Sequence, residues 1–99
     1  MTKHIVFFKF KAEVSENVRT SAFKAFKDGI ERLPSEIPFI REVFVGRNCN
    51  KTEKWDVCLH SVFDNLEDVK AYSVHPSHKA VASEFMKFVA ERACVDFEI

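Results

Sequence analysis

Three residues with ionisable rings lie close together in the last third of this chain, Tyr72, His75 and His78. A phenol and imidazole rings can hold or transfer a proton near neutral pH, which general acid–base catalysis requires. Pro76 favours the first turn of a helix, so the segment falls at a break between two helical patterns. The residue types indicate proton-transfer chemistry, provided that the fold turns these side chains toward one another.

The composition restricts the class of protein. The chain has 99 residues with 15 Lys plus Arg against 15 Asp plus Glu, which predicts one domain and argues against nucleic-acid or anionic-membrane binding. Three cysteines do not suggest a disulfide framework, and no signal peptide or membrane-spanning run is evident. We therefore expect a single cytoplasmic domain over residues 1–99. Its 11 phenylalanines predict that some apolar surface meets a partner or lines a cavity.

Hydrophobic spacing and turn residues define the elements that must position the rings. The patterns predict strands over 3–11, 39–48, 54–63 and 93–99, and helices over 15–33, 64–74 and 76–89. Ser15 is a candidate N-cap, and Asp64 to Glu67 resembles a capping box. The order β-α-β-β-α-β, with a break in the second helical region, predicts an α+β ferredoxin-like fold with a four-stranded antiparallel sheet.

The first predicted strand is apolar on both faces in its middle. His4, Val6 and Phe8 share one face, whereas Ile5 and Phe7 share the other. Helices of a ferredoxin-like fold cover only one face of the sheet, so the second apolar face needs another cover. A homodimer that packs sheet against sheet supplies it. His60 is expected on that interface side, and the cysteines are expected to be buried fillers.

Helical spacing predicts where the ionisable rings point. Tyr72 lies three residues after Val69, and His78 lies three residues before Val81, so both belong to the inner stripes of their helices. With His4 on a strand face under the helices, three polar groups would meet in an apolar space. The residues expected to line that space with His4 are Val6, Phe8, Phe23, Phe26, Val57, Leu59, Phe85 and Phe88.

Three segments together resemble a known family. The opening Lys3–Lys11, the tetrapeptide His75–His78 and the ending Val95–Glu98 look like the stress-responsive dimeric α+β barrel family, and the resemblance covers essentially the whole chain. It implies a ferredoxin-like fold and homodimers in which two sheets close a barrel.

The family includes a plant polyketide cyclase, and the resemblance extends to its site. The Tyr and His that carry that cyclase's chemistry match Tyr72 and His78, and a first-strand pocket histidine matches His4. A further pocket histidine of the cyclase falls on Val57, which cannot exchange a proton. The resemblance thus implies a similar pocket with one polar group fewer.

Three functional hypotheses remain open from the sequence. The chain binds an apolar small molecule in each protomer, or it is an enzyme of carbonyl-alpha proton chemistry such as cyclisation or isomerisation. In the enzyme, His78 is the general base and Tyr72 donates a hydrogen bond to the developing oxyanion. The third hypothesis is a purely structural dimer whose pocket is filled by its own Phe side chains.

The alternative interpretation of the tetrapeptide His75–His78 is purely structural, as the start of a helix. A side chain of His75–His78 would cap backbone N–H groups while Pro76 sets the first turn, with no chemistry involved. His75 and His78 could share a metal, but no Asp, Glu or Cys evidently completes a set of ligands. We therefore expect no metal and no cofactor.

Overall fold

The computed structural model, which describes residues 1–99, contains four strands and three helices. In chain order these are β1 (Thr2–Phe10), α1 (Glu16–Glu31), β2 (Glu42–Arg47), β3 (Val57–Phe63), α2 (Leu66–Val74), α3 (Pro76–Met86) and β4 (Val89–Glu98). The strands form one antiparallel sheet in the order β2-β3-β1-β4. This arrangement confirms the predicted α+β ferredoxin-like fold.

Strand β1 is central in the sheet and pairs with β3 on one side and β4 on the other. Val6 of this central strand lies opposite Leu59 of β3 on one side and Cys94 of β4 on the other. His4 lies opposite Asp96 of β4. Side chains on one face of a strand recur at every second residue. Residues of β1 and β4 that lie opposite each other therefore point to the same face of the sheet.

The start and end of α1 follow from local chemistry. Ser15 caps the helix, because its Oγ accepts a hydrogen bond from the Val18 N–H at 3.3 Å. The helix ends at Glu31, and Leu33–Ser35 forms a short 3₁₀ turn. The prediction extended the helix to Leu33, but Pro34 disfavours α-helical backbone at the residue before it.

The break between α2 and α3 is made by capping residues. Asn65 caps α2 by accepting from the Asp68 N–H at 2.9 Å. The predicted capping box at Asp64 is therefore wrong, and that carboxylate instead binds the Arg41 guanidinium at 2.7 and 2.8 Å. His75 caps α3 through Nδ1, which accepts from the Ser77 N–H at 3.1 Å.

Other predicted boundaries also differ from the structure, among them the start of β2, which lies at Glu42 rather than Phe39. Strand β3 begins at Val57 rather than Lys54, and α3 ends at Met86 rather than Val89. Val89 instead opens β4 and pairs with Phe10, so this strand starts before the predicted Ala93. The apolar spacing that suggested a longer helix belongs to a turn in which the Phe88 N–H donates to the Phe85 carbonyl at 3.0 Å.

The core lies between the helices and one face of the sheet. Its buried hydrophobic residues are Val6, Phe8, Phe10, Ala22, Phe26, Ile30, Leu33, Ile37, Ile40, Val45, Val57, Leu59, Phe63, Val69, Tyr72, Phe85 and Val89. No helix combines the length and the apolar composition that crossing a bilayer requires.

The opposite face of the sheet, called here the open sheet face, carries no helix. Phe7, Phe44, Val95 and Phe97 are exposed on it, and His60 stacks on Phe44 with ring centroids 4.5 Å apart. The expectation of buried cysteines is wrong, because Cys49 and Cys94 are exposed and Cys58 is half-buried. Cys94 lies on the edge strand β4, Cys49 lies in the loop after β2, and Cys58 lies on the open sheet face. The core does not extend to any of these positions.

Candidate functional site

Tyr72 and His78 contact each other between α2 and α3. Their ring centroids are 4.3 Å apart, although they come from different helices separated by the His75 cap. Tyr72 is fully buried, and neither its hydroxyl oxygen nor Nδ1 of His78 has a hydrogen-bond partner. Buried polar atoms are normally paired, so two neighbouring unpaired atoms mark this contact as a candidate for ligand binding or chemistry.

Burial sets the charge state of both rings. Desolvation raises the pKa of Tyr72 far above its ordinary value of 10.0, which keeps the phenol protonated. Desolvation also lowers the pKa of His78 from 6.5, with smaller contributions from His4, Arg92 and His75, while a backbone contact with Ser73 opposes the shift. At neutral pH the site therefore presents a hydrogen-bond donor beside a neutral imidazole.

His4 lies on the sheet side of the same region. Its ring centroid is 6.1 Å from that of Tyr72, in an edge-on arrangement. Nδ1 of His4 pairs with Oδ1 of Asp96 at 2.5 Å, and Cys94 Sγ lies 3.5 Å from the same nitrogen. A carboxylate on one ring nitrogen fixes the orientation of an imidazole, so Asp96 holds His4 in place.

A cavity of about 250 Å³ lies between the sheet and α2–α3. Its lining residues are His4, Val6, Phe8, Phe26, Leu59, Ser73, His78, Ala82, Met86 and Arg92. The volume is slightly below the usual ~300–1,000 Å³ of small-molecule sites. Tyr72 does not line the cavity, but it packs directly against His78, which does.

The structure brings together part of the predicted site. His4, Val6, Phe8, Phe26 and Leu59 line the cavity with His78. Four predicted lining residues do not, namely Phe23, Val57, Phe85 and Phe88. Phe85 and Phe88 instead border a groove of about 560 Å³ between α1 and α3, Phe23 packs at the core margin, and Val57 is buried in the core.

The difference has a physical cause in aromatic packing. Phe26 and Phe85 stack with centroids 4.0 Å apart, and Phe8 meets both edge-on at 5.4 and 5.2 Å. These three rings fill part of the space that the sequence predicted to be open. These Phe side chains occupy part of the predicted space, and a smaller cavity remains beside them.

Sequence reasoning missed Asp96, Cys94 and Arg92. All three lie on the helix-facing side of β4, opposite His4, Val6 and Phe8 of β1. The available signal was their alternation, because residues 92, 94 and 96 of a strand share one face. The predicted strand began at Ala93, which left Arg92 outside it.

One set of groups has the spacing of metal ligands. His4, Cys94 and Asp96 each offer one ligand atom, and these atoms lie within 4.8 Å of one another. Burial and then the Asp96 charge raise the pKa of the Cys94 thiol, although the Arg92 guanidinium beside it acts in the opposite direction. A protonated thiol is a poor metal ligand, and a nearby guanidinium repels a cation. The hydrogen bond between His4 and Asp96 therefore accounts for the cluster.

The fold and the site together define the class. Residues 2–99 match the family described as Stress Responsive A/B Barrel Domain. The chain therefore belongs to the stress-responsive A/B barrel family.

Individual relatives refine this comparison. Olivetolic acid cyclase of Cannabis sativa is 26% identical over 98 residues, which is 96% of this chain and 93% of the cyclase. A dimeric protein of unknown function and ferredoxin-like fold from Bacteroides fragilis is 43% identical with a TM-score of 0.96, covering 99% of this chain and 95% of the other. Hydroxynitrile lyase of Passiflora edulis shares the fold, with a TM-score of 0.75 at 17% identity, covering 99% and 92% of the two chains.

Proposed function

We propose that this protein binds an apolar small molecule in the cavity between the sheet and α2–α3. The observation that carries the proposal is the pair of unpaired buried polar atoms, the Tyr72 hydroxyl and Nδ1 of His78. A buried polar atom without a partner costs about 1–3 kcal/mol. A carbonyl or hydroxyl group of a ligand would approach this pair through His78, which lines the cavity, while the apolar wall takes up the hydrocarbon part of the ligand.

Filling the cavity with a side chain tests this proposal. Ala82 lines the cavity from α3, so Ala82→Phe should abolish binding of octanamide, a neutral apolar probe. The matched control is Ala80→Phe, because Ala80 is exposed on the same helix. Calorimetry should detect octanamide binding to the wild type and to the control only. Absence of binding to the wild type, or equal binding to both variants, contradicts the proposal.

The electrostatics of the pair favour a second candidate function, an enzyme of carbonyl-alpha proton chemistry. His78 removes a proton from the carbon next to a carbonyl, and Tyr72 donates a hydrogen bond to the enolate oxygen that develops. The lowered pKa of His78 supplies a neutral base, and the raised pKa of Tyr72 supplies a proton donor. His4 orients the ligand from the sheet side, held by Asp96. The 26% identity to a cyclase supports this chemistry.

Proton exchange separates catalysis from binding. An apolar β-diketone is incubated with the protein in D₂O, and the exchange of its alpha protons is followed by NMR. A positioned base typically contributes about 10²–10⁴-fold, so His78→Gln should lower the rate by about that factor. His75→Asn is the control, because asparagine retains N-cap chemistry for α3. Equal rates for wild type and His78→Gln contradict catalysis while leaving binding intact.

We also propose that two copies of the chain associate through the open sheet face. Phe7, Phe44, Val95 and Phe97 are exposed there, and exposed apolar side chains that share one surface are typical of an interface. The similar protein from Bacteroides fragilis is described as dimeric, which supports the proposal. An isologous pair of sheets buries the same residues on both copies.

A further inference from the structure

Unlike the other four arginines, Arg92 forms neither an ion pair nor a hydrogen bond to an oxygen atom of the protein. It forms no ion pair with any carboxylate of the chain, and its neighbour is the Cys94 thiol. The other arginines each donate to a carboxylate or to a backbone carbonyl, namely Arg19, Arg32, Arg41 and Arg47. Arg92 is exposed at the margin of the cavity, so its charge is free to meet a ligand there.

The position of this arginine relates it to the cavity. Arg92 lines the cavity from β4, on the same wall as Phe8, which lies directly opposite it in the sheet. Its charge is also felt at His78, where it contributes to the lowered pKa. A guanidinium at the margin of an apolar cavity is suited to hold one charged group of a ligand whose remainder is apolar.

The neighbouring charges do not cancel this arrangement. Asp96 is the nearest carboxylate on the same face of β4, and its Oδ2 lies 3.9 Å from the Cys94 thiol that neighbours Arg92. Asp96 is bound by His4 at 2.5 Å, so its charge is directed at that imidazole. No carboxylate forms an ion pair with Arg92, so an anion beside the guanidinium meets one cation and a neutral His78.

We propose that the ligand of the cavity is amphipathic, an apolar body with one carboxylate that Arg92 binds. This inference rests on the proposed ligand-binding function and names its ligand class. A carboxylate matches the planar fork of a guanidinium through two parallel hydrogen bonds. One arginine balances one negative charge, which favours a carboxylate over a doubly charged phosphate ester.

A pair of probes that differ only in the head group tests the inference. Octanoate and octanamide share the same hydrocarbon part, so the ratio of their dissociation constants isolates the contribution of the charge. The wild type should bind octanoate about 10-fold more tightly, the size expected of a partly solvated charge-assisted hydrogen bond. Arg92→Gln should remove this preference, because octanoate then loses its charged partner whereas octanamide has none to lose.

Two further variants complete the design. Arg32→Gln makes the same change of charge at the end of α1, where the guanidinium donates to the Asp28 carbonyl, and should keep the preference. Arg92→Lys retains the charge without the planar fork and should keep part of it. Heptyl phosphate, which carries the same hydrocarbon chain as octanoate, should bind no more tightly than octanoate when it is measured in parallel.

The outcomes separate this inference from the function on which it rests. If the wild type binds octanamide and octanoate equally, or if Arg92→Gln weakens both alike, the carboxylate assignment is wrong and the ligand-binding cavity stands. Tighter binding of heptyl phosphate than of octanoate also overturns the assignment. If neither octanoate nor octanamide binds the wild type, the proposed function itself fails.

Discussion

Replacement of Tyr72 by phenylalanine should raise the stability of the unliganded protein. The Tyr72 ring is fully buried, and its hydroxyl has no partner. Removing an unsatisfied buried hydroxyl recovers about 1–3 kcal/mol of desolvation free energy without removing any carbon–carbon contact. A gain of about 1 kcal/mol in the free energy of unfolding corresponds to a melting temperature higher by about 4–8 °C in a domain of this size.

The same substitution should impair the site. The exchange rate of a bound β-diketone should fall by about 10²-fold, because the enolate oxygen loses one hydrogen-bond donor. A gain in stability that accompanies a loss of activity is the usual sign of a residue kept for function. Thermal unfolding followed by circular dichroism and proton exchange followed by NMR measure the two effects on the same sample.

A control residue shows whether the measurement responds to packing. Phe63 is fully buried and packs against Tyr72 with centroids 5.1 Å apart. Phe63→Leu removes contacts and should lower the stability by about 1–2 kcal/mol. If Tyr72→Phe also lowers the melting temperature, the hydroxyl has a stabilising partner, and the reasoning from an unpaired atom is refuted.

Three further predictions test the site, the helix packing and the interface. Burial lowers the pKa of His78 from 6.5, so the unfolded state gains a proton first as pH falls below that value, and stability is lost. Urea unfolding midpoints across this range should fall less steeply for His78→Gln, and equal slopes contradict the argument. A Cβ at Gly29 would lie 2.8 Å from Val81 Cγ1, so Gly29→Ala should lower the free energy of unfolding by about 1 kcal/mol. In a Val81→Ala background the same substitution should raise the free energy of unfolding, because alanine favours a helix more than glycine does. An equal effect in both backgrounds excludes the clash. Val95→Glu on the open sheet face should yield monomers in sedimentation velocity. The control is Val74→Glu on α2, which should not, because Val74 is 63% exposed and Val95 is 58% exposed but only Val95 lies on the open sheet face. Unchanged dimers with Val95→Glu contradict the proposed interface.

Some of the site was available from helical spacing alone. Helical spacing puts Tyr72 and His78 on inner stripes through their distance from Val69 and Val81, and the structure brings their rings into contact. A helix start is one of the interpretations that the sequence allows for His75–His78, and in the structure Nδ1 of His75 caps α3. Spacing of this kind is readable because a helix fixes which residues share a face within a few positions of one another.

Other parts of the site depend on distances that no local pattern encodes. The cavity is smaller than predicted because Phe8, Phe26 and Phe85 pack into one aromatic cluster. Periodicity identifies each ring as inward-facing, but not whether three inward-facing rings meet or leave space between them. Side-chain packing at interior density decides that question, and it depends on all neighbours at once.

The sequence by itself determined the order of elements, the helix cap at Ser15 and the fold class, because these follow from periodicity and from residues adjacent in the chain. Only the tertiary structure decided that Asp96 binds His4 and that Arg92 borders the cavity. The first and last strands are far apart in the chain, and the register in which they pair is set by the whole sheet. That register places the charged side chain of Arg92 on β4 beside the cavity that α2 and α3 also border.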